Sequence, residues 1–388
     1  MAQRSVSRRK QDKGEKFMDY SLLFIVLFLV GFGIVMVFSS SSYEANQKLG
    51  DSTRYLRQQL FASILGLVAM MVVANIPYHF WERFSVLAYL GSVVLILLII
   101  PFGYSSGGAT RWLYIGPISL QVAEVAKLGM ILFLSSLICK LGKGVRSNKG
   151  FLTVLLCPVP VALMLWQITN NLSSAIIVMG IAVLMLFVSC PDYKRFFLLA
   201  GITLAGAAAA VFYVVQTAQA HVDELDFRGG RILAWLDPEA YANDKSFQTI
   251  QALYAIGSGG VLGKGLGQSM QKRGFLPEAQ NDMIFSIICE ELGLFGGIAI
   301  ILMFLMLIWR LMIIANNAPD LYGALLVVGV MAHIAVQVIL NIAVVTATIP
   351  NTGISLPFIS YGGSSVMFLL IEIGLTLSVA KGIRLKDL

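Results

Sequence analysis

The chain has 388 residues, 57% of them hydrophobic and 13% charged, with 28 Lys and Arg against 21 Asp and Glu. That charged share is about half of what soluble globular domains carry, and a mean hydropathy of +0.81 excludes a disordered chain as well. What remains is a protein that crosses a membrane many times, in which the formal charge of +7 belongs with cytoplasmic loops and gives no support to a nucleic-acid partner.

In chain order, residues 1–19 form a basic N-terminal segment, and ten apolar stretches follow that are long enough to cross a bilayer as helices. They run over 20–40, 59–76, 84–102, 124–141, 151–169, 172–190, 196–216, 283–309, 323–345 and 361–380. The first apolar run, Ser21–Ser39, is longer than a signal-peptide core and lacks a small-x-small cleavage site. The fourth span opens on Glu124 and Lys127, the eighth carries Glu290 and Glu291, and the ninth contains His333. With the N-terminus inside, cytoplasmic segments hold 17 Lys and Arg against 5 in the short external ones, so both termini are cytoplasmic. The expected fold is therefore an all-α polytopic bundle over residues 20–380 with a short cytoplasmic tail at 381–388. Its single large extracytoplasmic loop, 217–282, joins helices 7 and 8. That loop contains Trp235, Phe247, Tyr254 and a glycine-rich stretch, which reads as folded chain. The second external feature, 103–123, reads as a loop returning toward the membrane surface.

Four cysteines, Cys139, Cys157, Cys190 and Cys289, are widely spaced in apolar sequence, with no CxxC or Cys/His cluster. Neither a zinc site nor a disulfide framework is indicated. The run Gly257–Gly267 fails as a phosphate-binding P-loop, because Gly263-Lys264 is followed by Gly265 and Ser258 stands where the first glycine is needed. It reads either as a tight-turning loop that uses glycine for positive φ, or as backbone N–H groups facing an anion.

Three constellations carry chemistry. Asp282 stands where the outer loop enters the eighth span, as a first-turn acid favoured by the helix dipole by about 0.3–1 kcal/mol or as a carboxylate within reach of lipid head groups. Glu290 and Glu291 lie within that span, where a carboxylate is costly unless paired or wet, so at least one should face the interior. Glu290, eight residues on and about 80° around an ideal helix, could share a cavity with Asp282. Arg111-Trp112 is followed by Gln121, Glu124 and Lys127; Glu124 and Lys127 can pair at i,i+3, or Arg111 and Lys127 can present positive charge to a phosphate. Finally, Asn341–Ser365 carries Pro350, Pro357, Gly362-Gly363 and several serines between two spans. This argues for re-entrant backbone, which is tolerated only inside protein or against a wet cavity. Glu372 follows in the tenth span.

The run Asn341–Ser365 resembles the C-terminal signature of the SEDS family, the FtsW, RodA and SpoVE proteins. The resemblance extends over nearly the whole chain through Arg111-Trp112, Gln121…Glu124…Lys127, Arg231…Pro238, Ala255–Gly260 and Leu276-Pro277-Glu278…Asp282…Glu290-Glu291. The basic extension before Tyr20 is closer to FtsW or SpoVE than to RodA. Departures from the family pattern fall at Val122-Ala123, Gln280-Asn281, Asn171 and Ala347.

The resemblance implies a peptidoglycan glycosyltransferase in the bacterial cytoplasmic (inner) membrane, polymerising lipid II on its outer face for cell division or spore cortex synthesis. It implies Asp282 as general base, with Lys127, Arg111 and Arg231 stabilising the pyrophosphate leaving group. Glu124, Glu278, Gln280, Glu290, Ser360, Gly362, Gly363 and Ser364 are the expected substrate-binding residues. No dedicated cofactor is evident; a divalent cation, Mg or Mn, could assist with the pyrophosphate. Expected partners are lipid II, a class B penicillin-binding protein, other divisome membrane proteins and membrane lipids. A lipid II flippase would use the same intramembrane carboxylates, and a non-catalytic division scaffold would use the spans for binding. The acid-bearing outer loop and the lack of apparent inverted symmetry favour the enzyme.

Overall fold

The computed structural model describes residues 18–106, 109–115, 118–220, 227–241 and 246–383. Residues 1–17 of the basic segment and 384–388 of the tail lie outside that set. Ten candidate membrane spans occur among the described residues, one for each stretch expected from sequence. They are formed by α1 (Tyr20–Leu49), α2 (Arg54–Asn75), α4 (Ser85–Phe102), α5 (Val122–Leu141), α6 (Asn148–Leu156) with α7 (Val159–Gln167), α8 (Leu172–Ser189), α9 (Tyr193–Ala220), α12 (Ile284–Asn316), α13 (Leu321–Val345) and α14 (Gly363–Ala380). A short α3 (Tyr78–Glu82) joins α2 to α4, while α10 (Phe227–Leu236) and α11 (Phe247–Gly259) lie within the outer connection. That connection is folded, as its composition suggested.

The first and fifth spans differ from expectation. The first helix runs to Leu49 instead of stopping near residue 40, and Gly50 ends it in the left-handed region with its N–H on the Asn46 carbonyl. The serines in between do not interrupt it, because hydroxyls such as that of Ser40 donate to the carbonyl four residues back (2.8 Å). The fifth span is two helices broken at Cys157-Pro158, where proline supplies no N–H to the ladder.

Residues 103–123 are not a plain returning loop. β1 (Tyr104–Ser106), β2 (Ala109–Ile115) and β3 (Ile118–Gln121) form an antiparallel sheet in that order, with Trp112 opposite both Tyr104 and Gln121. Aromatic and β-branched residues bounded by Gly107-Gly108 and Gly116-Pro117 are a strand signature that the hydropathy reading passed over. The sheet hands the chain directly into α5.

Close helix packing rests on small residues, as expected where lipid gives no hydrophobic drive between helices. A Cβ added at Gly374 of α14 would lie 2.6 Å from the Met70 carbonyl oxygen of α2, and one at Gly66 of α2 would lie 2.7 Å from Leu370. At the inner side, Asp19 caps α1 and holds Arg310 of α12 through both carboxylate oxygens, at 2.9 and 2.8 Å.

The glycine-rich stretch of the outer loop has a definite task. Helix α12 breaks at Gly293, where φ is 70° and ψ is −167°. The freed backbone is met by the loop: Lys264 N–H and Gly265 N–H donate to the Glu290 and Glu291 carbonyls at 3.0 and 2.9 Å, and Leu294 N–H donates to Gly260 O at 2.9 Å. A Cβ at Gly263 would sit 2.2 Å from the Glu291 carbonyl oxygen, and one at Gly259 would sit 2.0 Å from that of Cys289. These glycines therefore permit backbone-to-backbone contact with a broken helix. The amides of Lys264 and Gly265 face helix carbonyls, so they are not free to bind an anion.

Candidate active site

The re-entrant segment 346–362, between α13 and α14, organises the outer end of the bundle. Its backbone groups find partners on four helices, as buried irregular chain within a membrane must. Asn341 Nδ2 donates to Ile354 O (2.6 Å) and to Asp282 O (2.8 Å). Gln337 Nε2 donates to Ser355 O at 3.0 Å, and Ser173 donates to Thr352 O. Trp235 Nε1 of α10 donates to Ala347 O at 2.8 Å, and Arg231 Nη1 of the same helix donates to Asn351 O at 3.1 Å. From α2, Gln59 holds Ser360 O and Gly362 N–H.

Asp282 lies against one side of this segment, half-buried, in the turn before α12. Gln248 Nε2 of α11 donates to its Oδ1 at 3.4 Å, while the Gln248 Oε1 accepts from Asn351 Nδ2 at 2.8 Å. A Cβ at Gly353 would be 3.7 Å from Asp282 Oδ2, so this glycine lies directly against the carboxylate. Burial, then the neighbouring Glu278 carboxylate, push the Asp282 carboxyl up to about 7, against the opposing pull of backbone N–H groups and Arg231. Burial lowers Arg231 from its usual range, and Asp282 partly restores it.

Behind the same segment lies a polar cavity of about 50 Å³, lined by Arg111, Glu124, Lys127, Asn171, Gln337 and Gly353 among others. Lys127 is 1% exposed; its Nζ donates to Glu124 Oε1 at 2.8 Å and to Gln337 Oε1 at 3.2 Å. Arg111, on β2, donates to Thr169 O (3.2 Å) and Asn170 O (2.8 Å), and Asn170 adopts φ 50° to present its carbonyl. Asn171 caps α8 through Ser174 N–H at 3.0 Å. Gly353 therefore borders both Asp282 and the cavity that holds Lys127 and Arg111.

Other expected binding residues are placed elsewhere. Glu290 does not share a cavity with Asp282: it accepts from Lys264 Nζ (2.7 Å), Ser269 Oγ, Met270 N–H (3.0 Å) and Gln271 N–H (3.3 Å). Glu291 pairs with Lys272 at 2.6 Å and accepts from Ser39 at 2.8 Å. The two carboxylates clasp the loop that folds over α12, a role invisible to helical geometry because their partners lie about 20 residues earlier. Ser360 Oγ donates to Asn281 O at 2.6 Å and accepts from Leu356 N–H at 2.7 Å. Ser364 accepts from Gln121 N–H at 3.4 Å, Gly362 is held by Gln59, and Gly363 packs on Ala62. All four tie the re-entrant segment to its neighbours. Gln280 is buried, its carbonyl accepting from Tyr361 N–H at 2.9 Å, while Glu278 is exposed and held by Asn281 Nδ2. Sequence reading did not single out Gln248 or Gln337, because neither carries a local signal of charge or spacing.

Residues 20–384 match the FtsW/RodA/SpoVE family model, described as cell cycle protein. The chain is 38% identical over 366 residues to stage V sporulation protein E of Bacillus subtilis (strain 168), covering 94% of this chain and 97% of that protein. It is 37% identical to a probable peptidoglycan glycosyltransferase FtsW of Geobacter metallireducens, covering 93% and 94%. Among solved structures it resembles a chain from a peptidoglycan synthase complex that coordinates polymerization and crosslinking, with a TM-score of 0.74 at 25% identity, covering 94% and 98%. The rod shape determining protein RodA of Thermus thermophilus shares the fold, with a TM-score of 0.65 at 24% identity over 95% and 98%.

Proposed function

The chain belongs to the FtsW, RodA and SpoVE family, and we propose that it is a peptidoglycan glycosyltransferase that polymerises lipid II into β-1,4-linked glycan at the outer face of the bacterial cytoplasmic membrane. The observation that carries this reading is the placement of a half-buried carboxylate and a cavity lined by Lys127 and Arg111 on the two flanks of one re-entrant run of backbone, with Gly353 bordering both.

Glycan growth requires the acceptor GlcNAc 4-hydroxyl to attack the anomeric carbon of MurNAc. The new O4–C1 bond forms as the bond from C1 to the polyprenyl pyrophosphate oxygen breaks, and the hydroxyl proton passes to Asp282. A base works best when its pKa lies near the working pH, and Asp282 lies there because its charge is partly desolvated and faces Glu278. The leaving group gains negative charge as it departs; Arg111 would supply positive charge in a low-dielectric site, and Lys127, resting on Glu124, would turn its ammonium hydrogens to the departing oxygens. Arg231 holds Asn351 and lies near enough to Asp282 to oppose its protonation. Among the described residues no group of three or more His, Cys, Asp and Glu is gathered to hold a metal ion. Those described residues gather no dedicated cage for Mg or Mn.

The prenyl chain of the substrate would lie in the bilayer beside the bundle. A crosslinking partner of the class B penicillin-binding type fits the likeness to a chain of a synthase complex, and other divisome membrane proteins are further candidates. The test is glycan polymerisation from lipid II by the full chain, with and without a class B penicillin-binding protein. Asp282→Asn should abolish product while the protein stays folded. Wild-type turnover by that variant would remove Asp282 from the mechanism.

A further inference from the structure

The Lys127 cavity has a buried polar extension that the proposed reaction does not use. His333 of α13 and Glu372 of α14 are each 0% exposed, and both stand roughly halfway along their helices. At 1.5 Å per residue, His333 lies about 18 Å from the outer end of α13. Its Nδ1 is 2.8 Å from Glu372 Oε2, and its Nε2 is 2.9 Å from Gln337 Oε1. The next member is Lys127, whose Nζ donates to that same Gln337 oxygen. A continuous line thus runs Glu372–His333–Gln337–Lys127–Glu124.

Donor and acceptor chemistry fixes how this line is wired. Ser355 O can only accept, so the Gln337 amide nitrogen must face it, at 3.0 Å. The Gln337 oxygen is therefore the atom shared by His333 and Lys127. An oxygen in that position requires His333 Nε2 to carry hydrogen. Glu372 then either accepts from a protonated Nδ1 or, as the acid, donates to a bare one. In both arrangements the His333–Glu372 pair is electrically neutral as a unit and holds Nε2–H toward Gln337. The Glu124–Lys127 pair is likewise neutral as a unit, so the line introduces no net charge into the bundle, which makes it tolerable at this depth.

We infer that His333 and Glu372 are positioning residues for the leaving-group cation. By donating to Gln337 Oε1, His333, oriented by Glu372 at its Nδ1, locks the amide in the one orientation that gives Lys127 an acceptor and gives Ser355 of the re-entrant segment a donor. Without His333 Nε2–H, the amide can turn, placing NH2 against the Lys127 ammonium and a carbonyl against Ser355 O. Both contacts are then repulsive. The inference rests on Lys127 serving the pyrophosphate, so the test separates the two.

The full chain in lipid nanodiscs is measured for binding of undecaprenyl pyrophosphate by thermal protection, and for kcat and KM on lipid II with a class B penicillin-binding protein present. Glu372→Leu and His333→Leu should weaken undecaprenyl pyrophosphate binding about 10-fold and lower kcat by a similar factor with KM little changed, the scale of one hydrogen bond to a charged group. Glu372→Gln should stay within about twofold of wild type, because its amide can still donate to Nδ1 and keep hydrogen on Nε2. Adding His333→Leu to Lys127→Met should weaken binding no further than Lys127→Met alone, since the effect passes through that lysine. A purely structural role would instead give losses of undecaprenyl pyrophosphate binding that add to those of Lys127→Met, and would overturn the inference. So would equal damage by Glu372→Gln and Glu372→Leu, or wild-type behaviour of Glu372→Leu beside a defective Lys127→Met. Wild-type binding by Lys127→Met would remove the lysine from the site and the inference with it.

Discussion

If Asp282 is the general base, its two charged neighbours should move the acidic limb of the pH–rate profile in opposite directions. The carboxyl titrates at about 7, raised from 3.8. It is a base only when ionised, so kcat/KM should fall tenfold per pH unit well below 7 and level off above about 8. Glu278, exposed on the same turn, raises this value, and Arg231, half-buried on α10, lowers it. One pH unit corresponds to about 1.36 kcal/mol, and a single exposed charge pair is worth about 0.2–1 kcal/mol. Glu278→Gln should accordingly shift the limb down by about half a unit, giving more ionised base at pH 6. Arg231→Gln should shift it up by at least as much, because Arg231 is better shielded from solvent. The assay is the initial rate of glycan formation from pH 5 to 9 at subsaturating lipid II. High salt should shrink the Glu278 shift more than the Arg231 shift. Limbs that coincide for all three proteins, or that move together, would refute Asp282 as the titrating base.

Three further outcomes follow from the same geometry. Because the folded state holds the Asp282 proton more tightly than the unfolded chain, ionisation costs stability progressively from about pH 4 to 7. Asp282→Asn should therefore melt higher than wild type at pH 8, by at most about 2–4 kcal/mol after allowing for half-exposure, with a smaller gap at pH 5. Ala347 sits at φ 55° with its carbonyl held by Trp235, so Ala347→Gly should stabilise by about 1 kcal/mol in a thermal melt and leave activity intact. Lys272→Met strands the fully buried Glu291, and should cost about 3–5 kcal/mol and expose loop 260–283 to protease, whereas the double replacement Lys272→Met with Glu291→Leu should recover much of that loss.

Much of the fold was legible because bilayer physics imposes a single-residue signal: each span is an apolar run, and orientation follows from where lysine and arginine fall. The three-stranded sheet at 104–121 escaped because seven residues of alternating character are drowned in a window tuned for twenty. Within the site, Lys127 was legible as a charge at the start of a span, Asp282 as an acid where the outer loop enters one, and Arg111 as a cation in the external segment before Lys127. Gln248, Gln337 and Asn351 are neutral, carry no spacing rule, and acquire meaning only when the fold sets their amides between a carboxylate, an ammonium and a strained turn.

The intramembrane carboxylates show why charge in a span does not by itself identify chemistry. Glu290 and Glu291 meet the expectation that such groups be buried and paired, yet among the described residues the side-chain hydrogen bonds they make are to residues 258–272 or to Ser39. Their partners are available because α12 is broken at Gly293 and the glycine-rich strand enters the gap, which no charged side chain could do. The break, the glycines and the two glutamates thus form one device that pins the loop across the outer face. The chain leaving that device at Lys272 has ten residues in which to reach Asp282. It arrives with Asn281 O and Gln280 O bonded to Ser360 and Tyr361, so the carboxylate is located from both the loop and the re-entrant segment. Among the described residues Asp282 differs from Glu290 and Glu291 in having no salt-bridge partner, and it has a glycine opposite it. In the proposed reaction, an acid that the surrounding scaffold fixes in place without pairing is the one suited to take the acceptor proton.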